Sequence, residues 1–285
     1  MGIIDGKVVA SQIKDNIADE IKALEQKTGK TPGLAVILVG NDPASAVYVR
    51  NKNKTCKKLG FQSFENILPE NTSELTLLNL IDTLNNNDRV NGILVQLPLP
   101  SHISSNKILE AIDPKKDVDG FHLENVGRLV TGNATFKPCT PAGIIQLLDH
   151  YEVNIEGKNA VVLGRSNIVG KPISILLMER NATVTICHSR TKNLSTITQS
   201  ADILISAIGK PNFVTKDMVK DGSVVIDVGI NRVDDKLVGD VDFQPVLNKV
   251  SLITPVPGGV GPMTIAMLML NTLQAFKKFN SQDTN

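Results

Sequence analysis

Short apolar runs alternate with longer amphipathic stretches along the whole chain. The strand-like runs are LAVILVG (34–40), NGILVQLPLP (91–100), NAVVLG (159–164), ATVTICHS (182–189), ADILISAIG (201–209), SVVIDVG (223–229) and SLITPV (251–256). They are rich in Val and Ile, and several close on Gly. Between them, apolar positions recur at helical spacing over 7–28, 43–59, 73–86, 104–112, 170–179 and 264–278. Strands that stay apolar throughout, separated by helices, form a parallel sheet covered on both faces. The pattern therefore predicts an α/β fold. KPCTP (137–141) marks the expected boundary: strand–turn–helix units follow it at regular spacing. The last helix follows a Pro/Gly-rich turn, PVPGGVGPM (255–263), and is free to pack back on the first domain.

Composition narrows the picture. The chain has 285 residues, 41% of them hydrophobic, enough for one large core or two modest ones. Aromatics are only 4% and Trp is absent, so the cores must be aliphatic. A net charge of +1 with scattered Lys and Arg argues against nucleic acid or an anionic membrane as the main partner. Lys57-Lys58 and Lys115-Lys116 read as solvated surface pairs. Cys56, Cys139 and Cys187 are odd in number, far apart and form no Cys-x-x-Cys, which suits a reducing compartment. The histidines show no metal-ligand spacing, so no metal is expected. The N-terminus lacks the basic and apolar regions of a secretory signal. No apolar stretch reaches the ~18 residues of a membrane span. A soluble, cytoplasmic protein is expected.

Two sets of residues carry candidate chemistry. AVVLGRSNIVGKP (160–172) reads as strand, Gly-bearing turn and helix start, the junction that receives a pyrophosphate in a doubly wound sheet. Its glycines are Gly164 and Gly170, with Ser166 where a second Gly of the usual fingerprint would stand. Such junctions also occur without a nucleotide. The next strand ends in His188-Ser189-Arg190-Thr191. It lacks the acid that accepts a ribose hydroxyl in NAD sites. Arg165, Ser189 and Arg190 suit a phosphate instead, and so favour NADP. Arg190 as a plain loop residue is the competing reading. Gly209 and Gly229 close two later strands, either where backbone runs near a ligand or where the chain merely turns.

The other set lies upstream. On the helix at 43–59, Tyr48 and Lys52 are four apart and share a face, with Ser45 nearly aligned. This could hold an amine for proton transfer or be an ordinary surface pair. Gln96 ends an apolar strand before two prolines, placed either to orient a lysine or water or to cap the strand. Asp119, in KDVDGFH (116–122), could accept hydrogen bonds from an aminopyrimidine-type ring or make a turn.

The segments YVRNK (48–52), ILVQLPLP (93–100), KDVDGFH (116–122), KPCTPAG (137–143), VLGRSNIVGKP (162–172), CHSRT (187–191), VVIDVGIN (224–231), GDVDF (239–243) and ITPVPGGVGPMTIAML (253–268) stand in this order. Together they resemble the bifunctional methylenetetrahydrofolate dehydrogenase/methenyltetrahydrofolate cyclohydrolase family over essentially the whole chain. The resemblance implies an N-terminal α/β catalytic and folate-binding domain (1–140) and a C-terminal Rossmann-type NADP-binding domain (141–263). It implies a cleft between them and a C-terminal helix (264–285) packing back on the first. It implies Lys52 as the central catalytic residue with Tyr48 beside it, Gln96 positioning Lys52, and Asp119 anchoring the pterin. Ser45, Tyr48 and the backbone of Pro257, Gly258 and Gly259 fall on the substrate side. Gly164, Arg165, Ser166, Ser189, Arg190 and Ile230 match cofactor positions. A homodimer, one-carbon derivatives of tetrahydrofolate as substrates and a role in tetrahydrofolate interconversion and purine biosynthesis follow from the same likeness.

The implied reaction moves a hydride from the one-carbon bridge to NADP, then adds water to the methenyl carbon and opens the ring. Three alternatives stand beside it. A shikimate-type dehydrogenase also pairs a catalytic Lys with a nucleotide sheet, but does not call for PVPGGVGPMT or KDVDGFH. A nucleotide-binding regulator has no need of Tyr48, Lys52, Gln96 and Asp119 together. A relative keeping one activity is disfavoured by intact Lys52 and Gln96.

Overall fold

The computed structural model describes residues 2–234 and 236–282. In chain order, β1 (Gly2–Ile3) and α1 (Gly6–Thr28) lead to β2 (Gly33–Val39), α2 (Pro43–Lys58), β3 (Gln62–Leu68) and α3 (Glu74–Asn85). Then come β4 (Gly92–Val95), α4 (Ser105–Glu110), α5 (Leu123–Val130) and α6 (Cys139–His150). The strand–helix series continues with β5 (Asn159–Leu163), α7 (Gly170–Glu179), β6 (Thr183–Cys187), α8 (Leu194–Thr198), β7 (Ile203–Ser206) and β8 (Val224–Asp227). A hairpin of β9 (Asn231–Val233) and β10 (Lys236–Val238), α9 (Phe243–Leu247), β11 (Leu252–Ile253) and α10 (Val260–Gln282) complete it.

The chain divides into two compact units, residues 1–11 with 140–267 and residues 12–139 with 268–285. Residues 2–11 group with 140–267. Gly2 and Ile3 add a parallel strand to Leu252 and Ile253, so backbone pairing recruits them to the later sheet. α1 and α10 each run through both units.

The 12–139 unit holds a parallel sheet in the order β3-β2-β4. All seven residues of β2 are buried, as its unbroken apolar sequence requires. Its aliphatic core includes Ile37, Leu77, Ile81, Ile93 and Ile108. Each such side chain contributes roughly 1.5–3 kcal/mol on burial. The start of α3 is capped by Ser73, whose hydroxyl accepts from the Thr76 amide at 3.1 Å.

The other unit holds a six-stranded parallel sheet in the order β1-β11-β8-β7-β5-β6. The chain runs from β5 to one neighbour, β6, and then returns to the other side of β5 as β7. That reversal opens a crevice at the carboxyl ends of β5 and β7, where doubly wound sheets bind ligands. Val161, Leu163, Leu204, Val225 and Ile253 centre its core. No helix among the described residues is long and apolar enough to cross a membrane.

Candidate active site

Helix α2 carries the first group of residues. Asp42 caps it, accepting from the Ser45 amide at 2.7 Å, and Pro43 occupies its first turn. Lys57 and Lys58 in the last turn oppose the helix dipole. Ser45, Val49, Lys52, Asn53 and Cys56 are buried along one face, and Tyr48 is half-buried at its edge. Lys52 is only 8% exposed, so it needs a partner. Its Nζ donates to Gln96 Oε1 at 3.0 Å. Gln96 follows β4, and its amide N–H extends the ladder to Ile37 O at 2.9 Å. Its Nε2 donates to Leu97 O at 2.7 Å, which leaves the side-chain oxygen to accept from Lys52. The Leu97–Pro98 peptide is cis.

Asp119 lies within electrostatic reach. Burial raises its pKa; the Lys52 charge pulls it back down, while the Asp117 charge adds to the rise. Burial likewise raises the Tyr48 phenol, so it stays a neutral hydroxyl. The turn chemistry considered for Asp119 belongs to its neighbour. Asp117 accepts from the His122 amide and from Asn125 Nδ2, both at 2.8 Å, and so closes the loop. The structure thus brings Lys52, Gln96 and Asp119 together, with Tyr48 and Ser45 on the same helix face as Lys52.

The 140–267 unit carries the second group. Gly164 ends β5 at φ +117°, and a Cβ there would overlap the Ala207 carbonyl. A Cβ on Gly170 would overlap Gly164 O, so both glycines let the turn close. Ser166 Oγ accepts from the amides of Val169 and Gly170, each at 3.2 Å, and holds the start of α7. The paired residues Leu163 and Cys187 end β5 and β6 side by side, so the loops bearing Arg165 and Ser189-Arg190 leave adjacent strands. All three are exposed. His188 Nδ1 accepts from the Arg190 amide at 3.1 Å and fixes that turn. Ile230 is 44% exposed beyond β8. In the turn before α10, the Val256–Pro257 peptide is cis, Pro257 is exposed, and Gly258 and Gly259 are buried, with Gly258 at φ +114°. This cradle of tight backbone beside exposed guanidiniums fits a phosphorylated dinucleotide.

Comparison with known proteins bears on both groups. Residues 4–119 match the family profile "Tetrahydrofolate dehydrogenase/cyclohydrolase, catalytic domain", and residues 138–280 match "Tetrahydrofolate dehydrogenase/cyclohydrolase, NAD(P)-binding domain". The chain belongs to the tetrahydrofolate dehydrogenase/cyclohydrolase family. A bifunctional protein FolD of Campylobacter hominis is 60% identical over 97% of this chain and 98% of its own. The crystal structure of bifunctional FolD from Campylobacter jejuni has a TM-score of 0.95 and 51% identity, covering 98% and 99% of the two chains. FolD from Trypanosoma brucei, complexed with NADP cofactor and an inhibitor, has a TM-score of 0.94 and 41% identity, covering 97% of each. This dehydrogenase/cyclohydrolase is accordingly a bifunctional enzyme acting on one-carbon derivatives of tetrahydrofolate with a nicotinamide dinucleotide.

Some residues of this tetrahydrofolate dehydrogenase/cyclohydrolase escaped sequence reasoning. Asn271 on α10 donates to Val118 O at 2.8 Å and Lys137 O at 3.0 Å, which staples the loop bearing Asp119. A single amide inside the apolar run MLMLNTL was the only signal. Lys116 is not a solvated surface lysine. It is 4% exposed, and its Nζ donates to the carbonyls of Leu84, Asn85 and Asn87 at the end of α3.

Proposed function

We propose that the chain oxidises 5,10-methylenetetrahydrofolate to the 5,10-methenyl cation with NADP and hydrolyses the cation to 10-formyltetrahydrofolate, with Lys52 moving the protons. The observation that carries this is the buried Lys52 Nζ held at 3.0 Å from Gln96 Oε1, within reach of the Asp119 charge. When bound, the nicotinamide ring supplies the hydride acceptor for the first reaction. Gly164, Arg165, Ser166, Ser189, Arg190 and Ile230 hold the dinucleotide. Asp119 receives the N–H groups of the pterin, and Tyr48 and Ser45 line the folate. In the hydrolysis, Lys52 takes a proton from the water as its oxygen bonds to the methenyl carbon. It returns that proton to the ring nitrogen as the carbon–nitrogen bond breaks. The remaining water proton leaves to solvent when the formyl carbonyl forms. Gln96 keeps the amine aimed along this path.

One assay tests both steps: the absorbances of the methenyl intermediate and of reduced nucleotide are followed together, with NADP⁺ and NAD⁺ in separate runs. We expect folate-dependent nucleotide reduction, methenyl decay faster than in buffer, and a higher kcat/KM with NADP⁺. Absence of turnover overturns the proposal. A preference for NAD⁺ overturns the phosphate reading of Arg165, Ser189 and Arg190.

In the same reading, residues 12–139 with the end of α10 carry the folate chemistry and 140–267 the nucleotide. The setting is the cytoplasm, supported by the buried free thiols Cys56, Cys139 and Cys187. The working form is a homodimer. β3 is an outer strand of its sheet, and Ile67 on it is 60% exposed. Light scattering on the eluted protein checks the mass.

A further inference from the structure

The GDVDF segment (239–243) has no place in the chemistry above, yet one of its carboxylates is buried among the loops at the ends of β7 and β8. Asp240 is fully buried. Its Oδ2 accepts from the amides of Ile208 and Gly209 at 2.8 and 3.2 Å and from Ser206 Oγ at 3.3 Å. Its Oδ1 accepts from the Lys210 amide at 2.8 Å and from Asn231 Nδ2 at 3.0 Å. One side chain thereby ties the loop that follows β7 to the loop that follows β8.

A second buried carboxylate holds the first. Asp227, the last residue of β8, accepts from the amides of Gly229 and Asp240 on Oδ1 at 3.0 and 2.9 Å. Its Oδ2 accepts from the Val241 amide at 2.9 Å. Two glycines make this crossed arrangement possible. A Cβ on Gly229 would overlap the Asp240 carboxylate, and a Cβ on Gly239 would overlap that of Asp227. Burying two carboxyl groups side by side is costly unless their hydrogen bonds are met. Here the two carboxyl groups accept from backbone amides, from the Ser206 hydroxyl and from the Asn231 side-chain amide. The loops in turn flank the sheet reversal: β7 lies beside β5, and Gly164 packs on Ala207. Ile230 lies between Gly229 and Asn231, both tied to the pair.

We infer that Asp240, braced by Asp227, is a positioning residue for the dinucleotide: it sets the backbone of 207–210 and 228–231 in the shape that receives the cofactor, without touching it. This rests on the proposed NADP-dependent activity. Neutral residues at 240 leave several loop amides short of an acceptor, and the loops relax away from the bound form. Affinity for the nucleotide should fall, while methenyl hydrolysis, assigned to Lys52 and Gln96 in the other unit, should not.

The test compares Asp240→Asn, Gly229→Ala and, as a control, Asp242→Asn with the unaltered enzyme. Asp242 lies two residues on and makes no side-chain cap hydrogen bond to α9. KM for NADP⁺ and kcat are measured at saturating folate, and methenyl hydrolysis is measured without nucleotide. We expect KM for NADP⁺ to rise at least about tenfold in Asp240→Asn and Gly229→Ala, which removes no carboxylate but displaces one. Hydrolysis should stay within about twofold, and Asp242→Asn should match the unaltered protein. An unchanged KM in both test variants overturns the inference. A parallel loss of both activities also overturns it, because that marks a general structural role. If Asp240→Asn does not fold, Gly229→Ala decides alone by the same criteria. If the unaltered enzyme reduces no NADP⁺, the proposed activity fails and not the brace.

Discussion

The Lys52 region and the nucleotide turn solve opposite problems. Around Lys52 the candidate groups are side chains, buried and matched one to one: the amine to Gln96 Oε1, and Gln96 Nε2 to Leu97 O. Around Gly164 the working surface is largely backbone. Glycines let strand and helix close together, Ser166 Oγ accepts from the first amide of α7, and the charged side chains stay exposed. A proton-transfer group must hold one orientation in a water-poor place. A phosphate needs amides and flexible cations at a helix start. Single side-chain changes should therefore be severe in the first region and graded in the second, where added atoms on glycines do the damage.

The largest expected effect is at Lys52. Lys52→Met should lower methenyl hydrolysis by about 100- to 10,000-fold, the range for a lost general acid–base, with NADP binding by fluorescence titration unchanged. Full hydrolysis in that variant would sink the role given to the amine. Gly164→Ala tests the other region by adding an atom. With φ at +117° and Ala207 O in the way, it should weaken NADP binding roughly 10- to 100-fold, equivalent to about 1–3 kcal/mol of backbone strain. Hydrolysis should remain within about twofold of normal. If Gly164→Ala abolishes hydrolysis as well, the two regions are not separable in this way. Arg190→Ala should cost less, lowering kcat/KM for NADP⁺ about tenfold with little change for NAD⁺, since one charge-assisted contact is lost. An equal drop with both nucleotides would place Arg190 on a phosphate that they share.

The smallest effect concerns pH. Burial, with the Asp240 carboxylate adding to it, pushes the Asp227 carboxyl up from 3.8 to about 7, against the opposing amides of Asp240, Val241 and Gly229. The folded state thus holds a proton that the unfolded chain releases near 4. The stability from this group is complete below that range and is lost as pH rises through about 7. Melting curves should show Tm falling from about pH 5 to about pH 8. Asp227→Asn should flatten that slope, and an unchanged slope would assign it to other groups.

Much of this molecule is legible in one dimension. Unbroken apolar strands such as 34–39 show as a parallel sheet because each residue is buried whichever face it points to. The helix spacing of Tyr48 and Lys52 and the strand–Gly–helix junction at 159–170 are local, and local geometry follows from local sequence. Short elements were not legible: β1, the half-exposed β3, α5 and the β9–β10 hairpin carry too few residues or too weak an alternation to separate from loop.

By itself the sequence determined the class of fold, the family motifs and the candidate reactive side chains, because these depend on residue type and near-neighbour spacing. Tertiary structure alone decided which partners those side chains meet. Nothing in the spacing shows that Gln96 turns its oxygen to Lys52, that Asn271 staples the Asp119 loop from 153 positions beyond Val118, or that Gly2 and Ile3 join the later sheet. The same holds for Asp227 and Asp240, whose role as acceptors exists only once two loops meet. Burial and hydrogen-bond matching are properties of the packed chain, so they become readable only there.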